Sequence, residues 1–281
     1  MKDQGMPVGL SETVSRALIE DLGGRGDIST QATIPVDAKA HFDIVARSEG
    51  VLAGTVAAAE TFAQLDSELA VDWRLNDGDR LHPGSVIAVI RGAAGSILTA
   101  ERTALNFLGR LSGIATLTRR YVDAVAGTGA TIAHTRKTTP GLRALELAAV
   151  MVGGGARHRF GLDDAILIKD NHVAVCGSVG KAVAKACGYA GHMIRVAVEI
   201  DRIEQLEEAL AAGAESILLD NFSLDDLDTA VQRVRGTGVV LEASGGVSLE
   251  TVRAIAETGV NVISVGAITH SAICLDLGLD A

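Results

Sequence analysis

The chain has 281 residues, 48% hydrophobic and 21% charged, with a formal net charge of −10. The length and apolar content suit one large domain or two modest ones with ample cores. The acidic balance and an aromatic content of 3% exclude a basic nucleic-acid footprint and base-stacking platforms, so no nucleic-acid partner is expected.

No apolar stretch approaches the ~20 residues of a membrane span. The start Met1-Lys2-Asp3-Gln4-Gly5 lacks the basic-then-apolar pattern of a signal peptide. A cytoplasmic protein with no membrane partner is the expectation. Cys176, Cys187 and Cys274 show no CxxC spacing and read as buried small hydrophobes in a reducing compartment.

In chain order, residues 11–22 predict a helix, with Ser11 as its cap and Val14, Leu18 and Leu22 on one face. The segment 38–55 alternates as a strand around Phe42, Ile44 and Val45, then turns at Ser48-Glu49-Gly50. Val71 to Leu75 and Val86 to Ile90 are further strands, the first followed by the turn signal Asn76-Asp77-Gly78-Asp79. A long helical pattern over 98–125, interrupted near Ser112-Gly113, places a domain junction there. The expected division is an α+β domain over 1–112 and a second domain over 113–281, whose last residues pack back on the first.

The second part repeats one unit six times: a short apolar run, a polar or glycine ending, then a helical segment. The runs are Thr131 to Ala133, Ala165 to Ile168, Val196 to Val198, Ile217 to Leu219, Val239 to Leu241 and Val262 to Val265. Helices are expected at 203–212, 224–234 and 248–258. Strands apolar on both faces and alternating with helices belong in a parallel sheet. The fold class is α/β, and six units rather than eight predict an incomplete (β/α) barrel with its chemistry at the carboxyl ends of the strands.

Those ends carry the unusual residues. Arg136, Lys137, Arg143, Arg157, His158, Arg159, Lys169 and His172 form a cationic cluster in an acidic protein, suited to a small polyanion. Glu199 and Asp220 each end an apolar strand, where a carboxylate needs a cation, a metal or a hydroxyl-rich ligand. Pairing with Lys169 or Arg136 is the plainer alternative. Ser244-Gly245-Gly246 and Gly266-Ala267 follow the last two strands, where barrels cradle phosphate. His270 either donates to that phosphate or caps a short helix. His41, His82, His134 and His192 read as structural or solvated. No HExxH, Ser–His–Asp or Cys–His pattern supports zinc or a covalent nucleophile.

At these residues the sequence resembles the quinolinate phosphoribosyltransferases. The resemblance rests on Leu98 to Phe107, Thr135-Arg136-Lys137-Thr138-Thr139-Pro140-Gly141-Leu142-Arg143, Gly153-Gly154-Gly155, His158-Arg159, Leu167-Ile168-Lys169-Asp170-Asn171-His172, Leu218-Leu219-Asp220-Asn221 and Glu242-Ala243-Ser244-Gly245-Gly246. It implies an N-terminal α/β sandwich, an incomplete barrel, and a homodimer with its active site shared across the subunit interface. It also implies phosphoribosyl transfer to quinolinate with decarboxylation, requiring Mg2+, with quinolinate and phosphoribosyl pyrophosphate as substrates.

By that resemblance Arg136, Arg159, Lys169, His158 and Lys137 hold the two pyridine carboxylates, and Arg102 reaches them from the neighbouring subunit. Lys137, Lys169, Glu199 and Asp220 carry the catalysis. Glu199 and Asp220 face the ribose and metal. Ser244, Gly245, Gly246, Gly266 and His270 take the 5′-phosphate. His134, Arg157 and Leu147-Ala148 depart from the family pattern without removing an assigned residue. A paralogue acting on another acceptor and a non-catalytic phosphate-ligand sensor are the rival readings. The stretch from Asp77 to Ile90 also resembles a lipoyl-type hairpin, but no carrier lysine sits at its turn.

Overall fold

The computed structural model describes residues 7–281; residues 1–6, which include the leading stretch tested for a signal pattern, lie outside the described residues. In chain order the elements are α1 (Leu10–Leu22), α2 (Ile28–Thr33), β1 (Lys39–Ala46), β2 (Gly50–Val51), α3 (Thr55–Leu65), β3 (Ala70–Trp73), β4 (Arg80–Leu81), β5 (Val86–Ala93) and α4 (Ala94–Ala124). They continue with β6 (Thr131–Ala133), α5 (Arg143–Val152), β7 (Ile166–Ile168), α6 (Asp170–Cys176), α7 (Val179–Tyr189), β8 (Val196–Ile200), a 3-10 turn at Ile203–Gln205 and α8 (Leu206–Ala211). The last are β9 (Ser216–Asp220), α9 (Leu224–Val234), β10 (Val240–Ser244), α10 (Val252–Glu257), β11 (Val262–Ser264), α11 (Ala267–His270) and β12 (Leu277–Asp280).

Two compact units emerge. Of the described residues, the first holds those up to 119, 138–154 and 268–281; the second holds 120–137 and 155–267. In the first, an antiparallel sheet runs in the order β12-β1-β5-β3. Its core gathers Ile44, Leu52, Phe62, Leu81, Ile87, Ile90, Ile97 and Leu108. Full burial of each such side chain contributes roughly 1.5–3 kcal/mol. Phe42 and Ile44 share one face of β1 with period-two spacing, which the burial of Ile44 confirms.

Several sequence expectations change here. The first helix begins after Gly9 and has no side-chain cap, so Ser11 does not cap it. The strand read around Phe42, Ile44 and Val45 is β1, and the chain breaks after Ala46, near the expected turn at Ser48-Glu49-Gly50, before a second short strand, β2, pairs with β4. Asp77 does more than turn the chain: its carboxylate accepts from the Gly54 and Thr55 N–H groups at 3.2 and 3.1 Å, satisfying the open amino end of α3. Helix α4 is continuous through Ser112-Gly113. The glycine serves close packing instead, since a Cβ on Gly113 would lie 2.1 Å from the Ile273 carbonyl oxygen. The cysteines are not buried: Cys187 and Cys274 are exposed and Cys176 is intermediate.

The second unit is built on a six-stranded parallel sheet of order β6-β11-β10-β9-β8-β7. From β7 to β11 each strand neighbours the next in sequence, and β11 returns to pair with β6. Of the pairs a closed ring would need, only β6–β7 is absent. This is a (β/α) barrel left open on one side, as six units predict. The helix expected at 224–234 is α9. That at 203–212 opens as a 3-10 turn, and that at 248–258 is confined to α10.

Candidate active site

Strand register decides which side chains meet. Glu199 pairs with Leu218, Leu218 with Glu242, and Asp220 with Ser244. Registered neighbours in a parallel sheet point to one side, and side chains alternate along each strand. Glu199, Glu242, Asp220 and Ser244 therefore share one face. Val198 and Ile200 are fully buried on the other. Glu199 and Glu242 lie within their strands rather than beyond them, both in register with Leu218 and so two residues deeper than Asp220 and Ser244.

Lys169 extends the same row. Ile168 pairs with Val198, so the next residue stands beside Glu199, and Lys169 Nζ lies 2.6 Å from Glu199 Oε2. The plainer expectation, a Lys169–Glu199 pair, is thus observed. The Lys169 backbone N–H donates to His172 Nδ1 at 2.9 Å, which gives His172 a local task in fixing the strand end.

The segment carrying His158 and Arg159 leaves the open edge of β6, where Ala156 N–H donates to the Ile132 carbonyl at 2.7 Å. Buried His134 accepts the His158 backbone N–H on Nε2 at 3.1 Å, and the two rings meet edge to face at 6.2 Å. His134 is structural, as expected. The His158 ring then reaches Glu242, with Nε2 3.4 Å from Oε2. Arg159 donates to the Ala165 carbonyl at 3.2 Å. Burial, and then the nearby positive charge of Arg136, push the Arg159 guanidinium below its ordinary pKa; Asp164 opposes this.

Four buried polar atoms here have no hydrogen-bond partner: Arg136 Nε, Arg159 Nε, His158 Nδ1 and Glu242 Oε1. A native interior seldom leaves such groups unanswered unless something binds there. Two neighbouring guanidiniums, each with an unsatisfied donor, describe a receptor for a compact anion with more than one carboxylate or phosphate.

Residues 27–112 match the sequence profile described as quinolinate phosphoribosyl transferase, N-terminal domain, and residues 114–280 match that of the C-terminal domain. The chain belongs to the quinolinate phosphoribosyltransferase family. It is 49% identical over 276 residues to the nicotinate-nucleotide pyrophosphorylase [carboxylating] of Mycobacterium leprae, covering 96% of both chains. It is 45% identical over 271 residues to the probable enzyme of that name in Bacillus subtilis, covering 96% of this chain and 93% of that one. The crystal structure of NadC from Streptococcus pyogenes matches with a TM-score of 0.94 and 40% identity, covering 99% of this chain and 98% of that one.

In this member of the family, the second unit brings Arg136, Lys137, His158, Arg159, Lys169, Glu199, Asp220, Ser244, Gly245, Gly246 and Gly266 into one barrel. Arg102 and His270 belong to the first unit. Arg102 is exposed on α4, in an open groove of about 750 Å³ with Arg16, Asp21, Asn106 and Thr139. His270 Nδ1 lies 2.6 Å from Ser271 Oγ. Arg143 also belongs there, its Nε donating to Thr138 Oγ1 at 3.0 Å. Arg157 is exposed, and Leu147 is buried in α5.

Sequence reasoning assigned no role to Glu242 or Asn221. For Glu242 the signal was available: Val240, Glu242 and Ser244 alternate, so a carboxylate at the middle position must face inward. Asn221 shows itself only through its backbone.

Proposed function

We propose that this chain transfers phosphoribose from phosphoribosyl pyrophosphate to the ring nitrogen of quinolinate, releasing pyrophosphate and CO2 and leaving nicotinate mononucleotide, a step of de novo NAD synthesis. The observation that carries the reading is the buried, unanswered set of Arg136 Nε, Arg159 Nε and His158 Nδ1. Quinolinate is a planar diacid, and guanidinium donors recognise carboxylates in that geometry. Arg136, Arg159, His158, Lys137 and Lys169 are assigned to it, with Arg102 contributed by a second subunit of a homodimer.

The reaction is managed by charge. As pyrophosphate departs, the ribose carbon becomes electron-poor, and Glu199 and Asp220 on neighbouring strands favour that positive charge. The 5′-phosphate is assigned to Ser244, Gly245, Gly246, Gly266 and His270. The pyridine nitrogen is already a neutral nucleophile, so orientation by the cations outweighs base catalysis. Once the nitrogen is ribosylated, the adjacent carboxylate leaves as CO2, its bonding electron pair stays on the ring carbon beside the cationic nitrogen and the cationic side chains, and a proton from solvent then forms the C–H bond of nicotinate mononucleotide.

Mg2+ suits the donor chemistry, because Glu199 and Asp220 offer hard oxygens. No group of three His, Cys, Asp or Glu side chains gathers as a metal site among the described residues. A magnesium ion bound by one or two carboxylates takes its remaining ligands from substrate phosphates and water. When bound it offsets charge on the departing pyrophosphate, alongside Lys137.

We place the domain boundary in sequence at 112/113 and the protein in the cytoplasm. Among the described residues no helix is long and apolar enough to cross a membrane. The deciding assay is release of radiolabelled CO2 from quinolinate, dependent on phosphoribosyl pyrophosphate. Nicotinate, lacking the second carboxylate, is expected to be a far poorer acceptor. Equal use of both, or no release, overturns the assignment.

A further inference from the structure

Asn221 is the one residue other than glycine, among those described, with a positive φ, at 57°. Asparagine tolerates this left-handed region better than most side chains, but glycine adopts it at no steric cost. A turn alone would not require the amide.

That amide touches both neighbours of the turn. Asn221 Nδ2 donates to Asp220 Oδ2 at 2.9 Å. The Asn221 backbone N–H donates to the Ser244 carbonyl at 2.8 Å, adding one bond beyond the last register pair, Asp220 with Ser244. Its Oδ1 lies over Gly245, where an added Cβ would be only 2.2 Å away, and Gly245 itself has a φ of 91°. One unusual backbone position therefore joins the end of β9 to the loop after β10. Conformations of this kind persist where the surrounding structure over-determines them, and they cluster at functional sites.

We propose that Asn221 is a positioning residue for phosphoribosyl pyrophosphate. It fixes the plane of the Asp220 carboxylate and sets its spacing from the Ser244-Gly245-Gly246 loop. The inference rests on the assignment of Asp220 to the ribose and of that loop to the 5′-phosphate. It assigns Asn221 to one substrate and not the other, because the cationic set that receives the diacid includes no atom bonded to Asn221.

Asn221→Gly keeps the backbone angle available and removes the amide. It is expected to raise KM for phosphoribosyl pyrophosphate about tenfold or more, leaving KM for quinolinate within about twofold. Asn221→Asp retains tolerance of the left-handed region but sets a second carboxylate against Asp220, so it should weaken the same substrate at least as much. In an Asp220→Asn background, Asn221→Gly should change phosphoribosyl pyrophosphate affinity, measured by titration calorimetry, by less than about threefold.

An unchanged KM for phosphoribosyl pyrophosphate in Asn221→Gly, or a parallel rise for both substrates, overturns the proposal. So does full additivity with Asp220→Asn. If Asn221→Gly does not fold, Asn221→Asp carries the same comparison. Should wild-type protein release no CO2 from quinolinate, the assigned reaction has failed, and calorimetry with phosphoribosyl pyrophosphate alone still decides the role of Asn221.

Discussion

Lys169 Nζ stands 2.6 Å from Glu199 Oε2, so the cation and the carboxylate on the inner face of the barrel neutralise each other across two parallel strands. The lysine is about half exposed and the glutamate largely buried. A pair with one exposed member stabilises the fold little. Its value lies in what each charge does when a ligand divides them. Lys169→Ala is expected to lower kcat/KM by roughly 10²–10³-fold, by analogy with removal of a charged or polar donor aimed at developing charge. Steady-state kinetics check this, and near-normal turnover would remove Lys169 from the site.

Glu242 is expected to act on the diacid through His158. Its Oε2 lies 3.4 Å from His158 Nε2, leaving Nδ1 buried and unpartnered. Bonds to charged groups contribute about 1.5–3 kcal/mol, roughly tenfold to hundredfold. Glu242→Ala should raise KM for quinolinate on that scale, with Glu242→Asp recovering part of it. An unaltered KM would leave Glu242 a buried structural carboxylate.

The proposed sharing of the site between subunits has a direct test. Arg102→Ala and Lys169→Ala are each expected to keep no more than about 1% of wild-type activity. Co-refolded, they should form hybrids in which one site carries neither substitution. Recovery of up to about a quarter of wild-type activity is expected from random pairing of two sites per dimer. If subunit exchange is demonstrated and activity does not return, Arg102 does not act across the interface.

Stability should depend on a buried pair that joins α4 to α5. Glu146 is fully buried in α5. It accepts from Arg110 Nε and Nη2 at 3.1 and 2.7 Å, and from the Thr139 N–H and Oγ1 at 3.0 and 2.7 Å. Arg110 Nη1 also donates to the Ala272 carbonyl at 3.1 Å. Glu146→Ala would strand a mostly buried guanidinium, a change that costs about 3–5 kcal/mol. A lower urea midpoint for the first unit, followed by circular dichroism, is the expected readout.

Gly113→Ala is a sharper probe of packing than of helix propensity. By propensity alone alanine strengthens a helix interior by about 1 kcal/mol. The new Cβ would nevertheless fall 2.1 Å from the Ile273 carbonyl oxygen. Overpacking of this kind costs about 1–3 kcal/mol, so a lower melting temperature is expected. A rise would show that the segment around Ile273 yields freely.

The same glycine shows where sequence reading stops. The six barrel strands were legible because each is apolar on both faces and is followed by a polar or glycine residue. Their positions differ from the expected runs by only a residue or two, apart from extensions that take in Glu199, Glu242 and Ser244. Gly113 carried the same signal whether it breaks a helix or admits a neighbouring backbone, and only a distant residue, Ile273, decides between them. Ser11 was a sound local cap, yet the helix starts one residue earlier at Leu10. Arg110 and Glu146 are 36 residues apart, and nothing in local pattern joins them. Charged residues at strand ends announce themselves by contrast with apolar surroundings. A carboxylate inside a strand, or an amide held by an unusual φ, announces itself only once neighbours are in place.

Strand β12 pairs with β1, while the whole barrel sequence lies between them in the chain. During synthesis, then, one flank of β1 emerges early and waits without its hydrogen-bonding neighbour while the ribosome makes the entire second unit. A strand left open in this way is a template for mispairing with other nascent chains. Dependence on chaperones at that stage would trace to the order of elements, not to any weakness of the finished protein.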